Sequence, residues 1–157
     1  MLSNPALMII DVQPSFAPPA WLVIGINALI GTMPSVATVE RHNEERTPFQ
    51  RQLDWAPGAS DDSLVPADRI FVKHGYLPPA EAIEHLVSLR PSRVLVDQAD
   101  TCVLAAGFAL FDAGLHPTLL ADLVAGSSID RSGGLGAKLW RHHFKHVATS
   151  QDIPRLS

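Results

Sequence analysis

Cys102, Asp11 and Lys73 are the residues of this chain whose types could together break a carbon–nitrogen bond. Cys102 is the only cysteine. It follows Val94-Leu95-Val96-Asp97-Gln98-Ala99-Asp100-Thr101, which reads as a buried strand and a polar turn. It opens an apolar run to Phe111 that reads as a helix. A thiol at a helix N-terminus faces unpaired N–H groups and the positive end of the dipole, a setting that favours thiolate. In the same place a free cysteine also packs as a small hydrophobe. In the chemical reading, the sulfur attacks an electrophilic carbon. The Asp11 carboxylate accepts the thiol proton and returns it to a leaving nitrogen, and the Lys73 ammonium holds both anions in register. The N–H of Cys102, with another from the turn before it, receives the oxyanion. The plainer reading is a strand-end salt bridge between Asp11 and Lys73, with Cys102 as filler.

For these residues to meet, the intervening elements must bring them to one edge. Leu7–Asp11, Ser35–Val39, Asp68–Lys73, Val94–Gln98, Pro117–Asp122 and His146–Ala148 read as strands. Ala20–Ile30, Pro79–Leu89, Cys102–Ala113 and Gly134–His143 read as helices, with a short helix near Phe49–Leu53. On the Pro79–Leu89 helix, Ile83, Leu86, Val87 and Ala80 form the expected buried face. Strands that alternate with helices argue for a parallel α/β sheet covered on both faces. Such sheets gather ligands at the carboxyl ends of their strands. Asp11, Glu40, Lys73 and the Cys102 turn all follow strands, so all belong to that edge.

The 157 residues suit a single domain, 1–157, with 46% hydrophobic and 18% charged residues. A net charge of −4 leaves no basic footprint for nucleic acid. One cysteine excludes an intrachain disulfide and fits a reducing cytoplasm. Leu7-Met8-Ile9-Ile10 is too short to span a bilayer and lacks a charged lead, so neither a signal peptide nor a membrane anchor is expected.

Ile10-Asp11-Val12-Gln13-Pro14-Ser15-Phe16 resembles the Asp-x-Gln-x-x-Phe opening of the isochorismatase-like cysteine hydrolases, which include nicotinamidases and N-carbamoylsarcosine amidase. Phe71-Val72-Lys73-His74-Gly75-Tyr76 is similar to their lysine motif, and Ala99-Asp100-Thr101-Cys102-Val103 to their nucleophile turn. Gly114 and Ala121-Asp122 fit the segment that follows. The resemblance implies a three-layer α/β/α fold with a six-stranded parallel sheet ordered 3-2-1-4-5-6. It implies Asp11 as base, Lys73 as electrostatic partner, Cys102 as nucleophile, and an oxyanion hole at the N–H groups of Gln98 and Cys102. A cis peptide before Gln98 is implied as well. The expected activity is hydrolysis of a C–N bond in a small amide or carbamoyl compound, by a homodimer or homotetramer. The alternatives are a non-catalytic ligand-binding or assembly module and an isochorismatase-type vinyl-ether hydrolase.

The chain departs from the pattern in several places. Nicotinamidases carry Asp-x-His and a second His as metal ligands; here Glu40, His42 and Arg46 stand instead. A guanidinium has no lone pair to give, so no metal and no other cofactor is expected. Arg46 reads either as a clamp for a substrate carboxylate or as a solvated loop charge. Val96 replaces the usual Gly and Ala99 the usual Thr, and Asp97 and Gln98 are polar where small or apolar residues are common. The stretch between Phe49 and Asp68 is brief for the family. Phe16, His42, Phe49, Trp55 and Tyr76 are candidates for the substrate pocket, Phe49 and Tyr76 reading equally well as packing. His74 alternates away from Lys73 and reads as a packed or surface residue. His142 and His146 have helical spacing but no acidic neighbour, and read as a solvated helix end. Ser127-Ser128 and Ser132-Gly133-Gly134 read as loop and cap chemistry.

Overall fold

In the computed structural model, which describes residues 3–58, 60–97, 101–126 and 129–153, the first apolar run forms strand β1 (Ala6–Ile10), buried along its whole length. β2 (Ser35–Glu40), β3 (Arg69–Lys73), β4 (Val94–Val96), β5 (Thr118–Leu120) and β6 (Val147–Ala148) join it in one sheet. Every pairing is parallel. The order is β3-β2-β1-β4-β5-β6, as expected from the sequence. The helices are α1 (Ala20–Asn27), α2 (Phe49–Leu53), α3 (Ala80–Leu89), α4 (Thr101–Asp112) and α5 (Gly134–His143).

Strand alternation splits the core in two. Met8, Ile10, Val94, Val96 and Leu119 face Ala82, Leu86, Val103, Ala106, Leu110 and Trp140. Leu7, Ile9, Leu95 and Leu120 pack on the other side with Leu22 and Ile26. Burial of apolar side chains on both faces is what a central parallel strand requires, and it explains the uninterrupted apolar runs. No helix among the described residues is long and apolar enough to cross a membrane.

Several element limits and one buried face differ from expectation. α1 stops at Asn27 rather than Ile30, and the chain turns there toward Gly31, whose φ of 83° a side chain would strain. On α3 the buried pair is Ala82 and Leu86, four residues apart, so Val87 points away and is 47% exposed. β4 ends at Val96, so Asp97 lies beyond the strand.

α4 and α5 meet at Gly107. A Cβ built there would lie 2.6 Å from the Phe144 ring and 2.7 Å from the Trp140 ring. Gly107→Ala is therefore expected to destabilise the fold by about 1–3 kcal/mol through overpacking. Urea unfolding measures this; an unchanged midpoint would contradict so close a helix contact.

Candidate active site

The carboxyl ends of the three strands on one side of the sheet deliver the acidic and basic groups. Glu40 and Lys73 are register partners at the ends of β2 and β3. Asp11 follows β1 directly, with φ at 51°. This left-handed turn is one that Asp tolerates better than most residues. It is held by the Asp11 N–H, which donates to Thr38 O at 3.1 Å, and by Thr38 Oγ1, which donates to Asp11 Oδ1 at 2.8 Å.

Lys73 Nζ is the hub. It lies 2.8 Å from Asp11 Oδ2 and 3.3 Å from Glu40 Oε2, and donates to Gly75 O at 2.7 Å. Cys102, the second residue of α4, lies close enough to both Asp11 and Lys73 to be coupled to each. Burial works to lower the Lys73 ammonium, but Asp11, Cys102 and Glu40 hold it above its ordinary value, so it stays charged. Burial raises the Asp11 carboxyl despite Lys73, which suits a base that must take and return a proton. Glu40 is raised for the same first reason.

Cys102 departs from expectation. Burial pushes its thiol up to about 11, outweighing the neighbouring Lys73 charge, with Asp11 and Glu40 adding to the rise. The resting side chain is a neutral thiol rather than a thiolate: at the foot of a closed cavity the loss of water dominates. Alkylation of the native protein at neutral pH is accordingly expected to be slow and to accelerate sharply on unfolding. Intact mass reads this directly, because the chain has one cysteine; fast native labelling would contradict it.

Above these groups lies a cavity of about 50 Å³, lined by Asp11, Glu40 and Cys102 below and by Phe16, Phe49, Trp55, Pro57, Gly75 and Tyr76 around. Phe49 joins the wall, its ring centroid 6.1 Å from Trp55 and 5.4 Å from Tyr76. The chain after Trp55 is pinned over the mouth by Asp61. Asp61 accepts from the Ser15 N–H at 2.7 Å and from Ser15 Oγ at 2.6 Å, beside Phe16. Gln13, fully buried, accepts from the Glu40 N–H at 2.7 Å and donates to Asp61 O at 2.8 Å, so it fixes the end of β2 to this loop. Glu40 as a partner of Lys73, and Thr38, Gln13 and Gly75 as supports, were not assigned from sequence; Glu40 had its strand-end place and Gln13 and Gly75 their motifs as signals, while Thr38 had none.

Two expected pocket residues lie elsewhere. His42 is one ring removed, its centroid 6.0 Å from Phe49, with Nε2 3.1 Å from Glu44 Oε2. Arg46 is absent from the small cavity's lining and lines an open groove of about 870 Å³ along β3, together with Arg69, Ile70 and Val72; the groove also reaches Lys73, Gly75 and Tyr76. The turn at Arg46 is set by Asn43, which accepts the Arg46 N–H at Oδ1. The Glu40, His42 and Arg46 positions do not suit a metal: Glu40 is committed to Lys73 and the guanidinium cannot ligate. Among the described residues no cluster of three or more His, Cys, Asp or Glu could hold one. His74 Nδ1–H donates to Arg41 O at 2.6 Å, outside the site. His142 lies in the last turn of α5 beside His143, and His146 lies past the helix. Ser132 caps the start of α5 through the Gly134 N–H. Gln98, with the cis peptide expected before it and its half of the oxyanion hole, lies outside the described residues, as do Ala99, Asp100 and Ser127-Ser128.

No family model and no curated protein matches the chain by sequence. Solved structures do match. An isochorismatase-like hydrolase from Alkaliphilus metalliredigens superimposes with a TM-score of 0.74 at 13% identity, over 96% of this chain and 97% of that one. A nicotinamidase/pyrazinamidase from Acinetobacter baumanii gives 0.72 at 17% identity, over 96% and 98%. The chain has the isochorismatase-like fold. An isochorismatase family protein from Desulfovibrio vulgaris agrees, at 0.70 and 16% identity over 93% and 94%. The first two of these structures are matched nearly end to end. At these identities the likeness shows the fold, and the reading of the site comes from this chain's own geometry.

Proposed function

We propose that the chain is a metal-independent cysteine hydrolase of the isochorismatase-like family, cleaving a C–N bond in a small neutral amide or carbamoyl compound. The observation that carries this reading is the convergence of Asp11, Lys73 and Cys102 at the foot of one small aromatic cavity. Asp11 takes the Cys102 proton as sulfur attacks the carbonyl carbon. The oxyanion is received by the Cys102 N–H and a second N–H of the preceding turn. Collapse breaks the C–N bond, and Asp11 returns its proton to the departing nitrogen. Water then attacks the thioester, Asp11 accepts its proton, and the acid leaves as the thiol re-forms.

The charge balance narrows the substrate. Among the described residues Lys73 is the one cation at the cavity floor, and its donors go to Asp11, Glu40 and Gly75. With its donors so engaged, Lys73 is not free to meet a substrate carboxylate. Glu40 Oε1 is buried, has no hydrogen-bond partner and borders the cavity. It suits a substrate N–H, such as the second nitrogen of a carbamoyl group. The test is acid-quenched intact mass after incubation with a panel of small amides and carbamoyl compounds, alongside ammonia release. An acyl adduct on Cys102 with matching ammonia is expected. A panel that gives neither, while one member binds, would favour the ligand-binding module.

A further inference from the structure

Asp97 is a fully buried acid that the chemistry above leaves unused. It stands one residue past β4, where the β1–β4 ladder has ended at the Met8–Val96 pair. Its side chain takes over from that ladder: the Ile10 N–H donates to Asp97 Oδ1 at 3.4 Å. Oδ2 is buried and has no hydrogen-bond partner. Ile10 precedes the base, and Asp97 begins the turn that leads to the nucleophile. This one carboxyl therefore links the two strand ends that deliver Asp11 and Cys102.

A carboxylate with one long hydrogen bond and one orphan oxygen is poorly compensated away from water, whereas a neutral acid is tolerated. Burial accordingly raises the carboxyl to about 8, and the Asp11 charge pushes the same way. The charged group acting on it is Asp11, which follows β1, and behind Asp11 stand Lys73 and Glu40 from β3 and β2, with the neutral Cys102 thiol of α4 coupled to Asp11. Neighbouring β5, Thr118–Leu120, carries no titratable side chain.

We propose that Asp97 is a positioning residue that works as a neutral carboxylic acid, tying the Cys102 turn to the Asp11 strand, and that its ionisation suppresses thiolate formation at Cys102. A second negative charge coupled to Asp11 makes Asp11 a poorer neighbour for the charge that the sulfur must acquire. The inference rests on the proton transfer from Cys102 to Asp11 proposed above.

Asp97→Asn keeps the Oδ1 acceptor and cannot ionise. Two readouts need no substrate. The first is Tm across pH. The folded pKa of Asp97 lies above its unfolded value, so the native state alone holds the proton between about pH 4 and about pH 8, and the wild type loses stability as pH rises through that window. The Tm of Asp97→Asn relative to wild type should climb across the window and level off above it. The second readout is Cys102 alkylation by iodoacetamide. The Asn profile should move about one unit to lower pH, roughly tenfold faster at about pH 9. A Tm difference that is constant across the window, or an unshifted alkylation profile, overturns the proposal. If Asp97→Asn does not fold, Asp97→Val is read by the same two assays. Asp11→Asn, measured in parallel, separates the failures. If its profile moves and that of Asp97→Asn does not, the role of Asp97 alone falls. If Asp11→Asn leaves alkylation unchanged, the Asp11–Cys102 coupling falls, and this proposal with it.

Discussion

Lys73→Met is expected to destabilise the protein by about 3–5 kcal/mol at neutral pH, the largest effect of any single change near the site. The ammonium is buried, with only 2% of its side chain exposed, and it faces two carboxylates that are nearly as buried. Methionine fills similar space, so the loss is not one of packing volume. What remains is Asp11 and Glu40 enclosed together without a countercharge. Both are already raised by burial with Lys73 present; without it they would rise further and hold protons in the folded state. A group whose folded pKa exceeds its unfolded value costs stability increasingly as pH climbs above the unfolded value. The gap between wild type and Lys73→Met should therefore be narrow near pH 4 and wide at pH 7. Urea unfolding at both pH values checks this. A loss under about 1 kcal/mol, or one independent of pH, would mean that the ammonium does not compensate these carboxylates.

Cys102→Ala should lower hydrolysis by at least about 10⁴-fold while leaving ligand binding largely intact. The side chain is a neutral thiol at rest, so its removal takes no charge from the cavity floor and leaves the Lys73 ion pairs in place. Stability should change by no more than about 2 kcal/mol, the scale of losing one small buried group. Calorimetric binding and single-turnover assays on the variant separate three readings. An amidase loses turnover and keeps binding. A vinyl-ether hydrolase, whose reaction needs no sulfur nucleophile, retains measurable turnover. A binding module binds as before and has no turnover to lose in either form.

Much of the framework was legible because it depends on local pattern. The apolar runs at Leu7–Ile10 and Val94–Val96 could only be buried strands. A charged residue at the end of each strand marked the edge where Asp11, Glu40 and Lys73 meet. The remainder depends on contacts between distant segments. Glu40 read as a strand-end carboxylate or metal donor; its place beside Lys73 follows from the β2–β3 register, which spacing alone does not give. The helix-start position of Cys102 suggested thiolate, but burial depth is set by how the whole cavity closes. Arg46 falls in the segment that aligns with a binding motif, but spacing alone does not give its side chain's place, which is the open groove along β3.

The left-handed backbone at position 11 ties heredity to chemistry. Most side chains would be strained there, and glycine would ease the turn while removing the carboxylate. Aspartate is among the few residues that both accept the turn and bear a titratable oxygen. Drift at this position is therefore filtered twice, once by folding and once by function. Of the neighbouring residue types, asparagine is the one the backbone would pass and the chemistry would reject, which makes it the natural mark of a descendant that has kept the fold and given up the reaction.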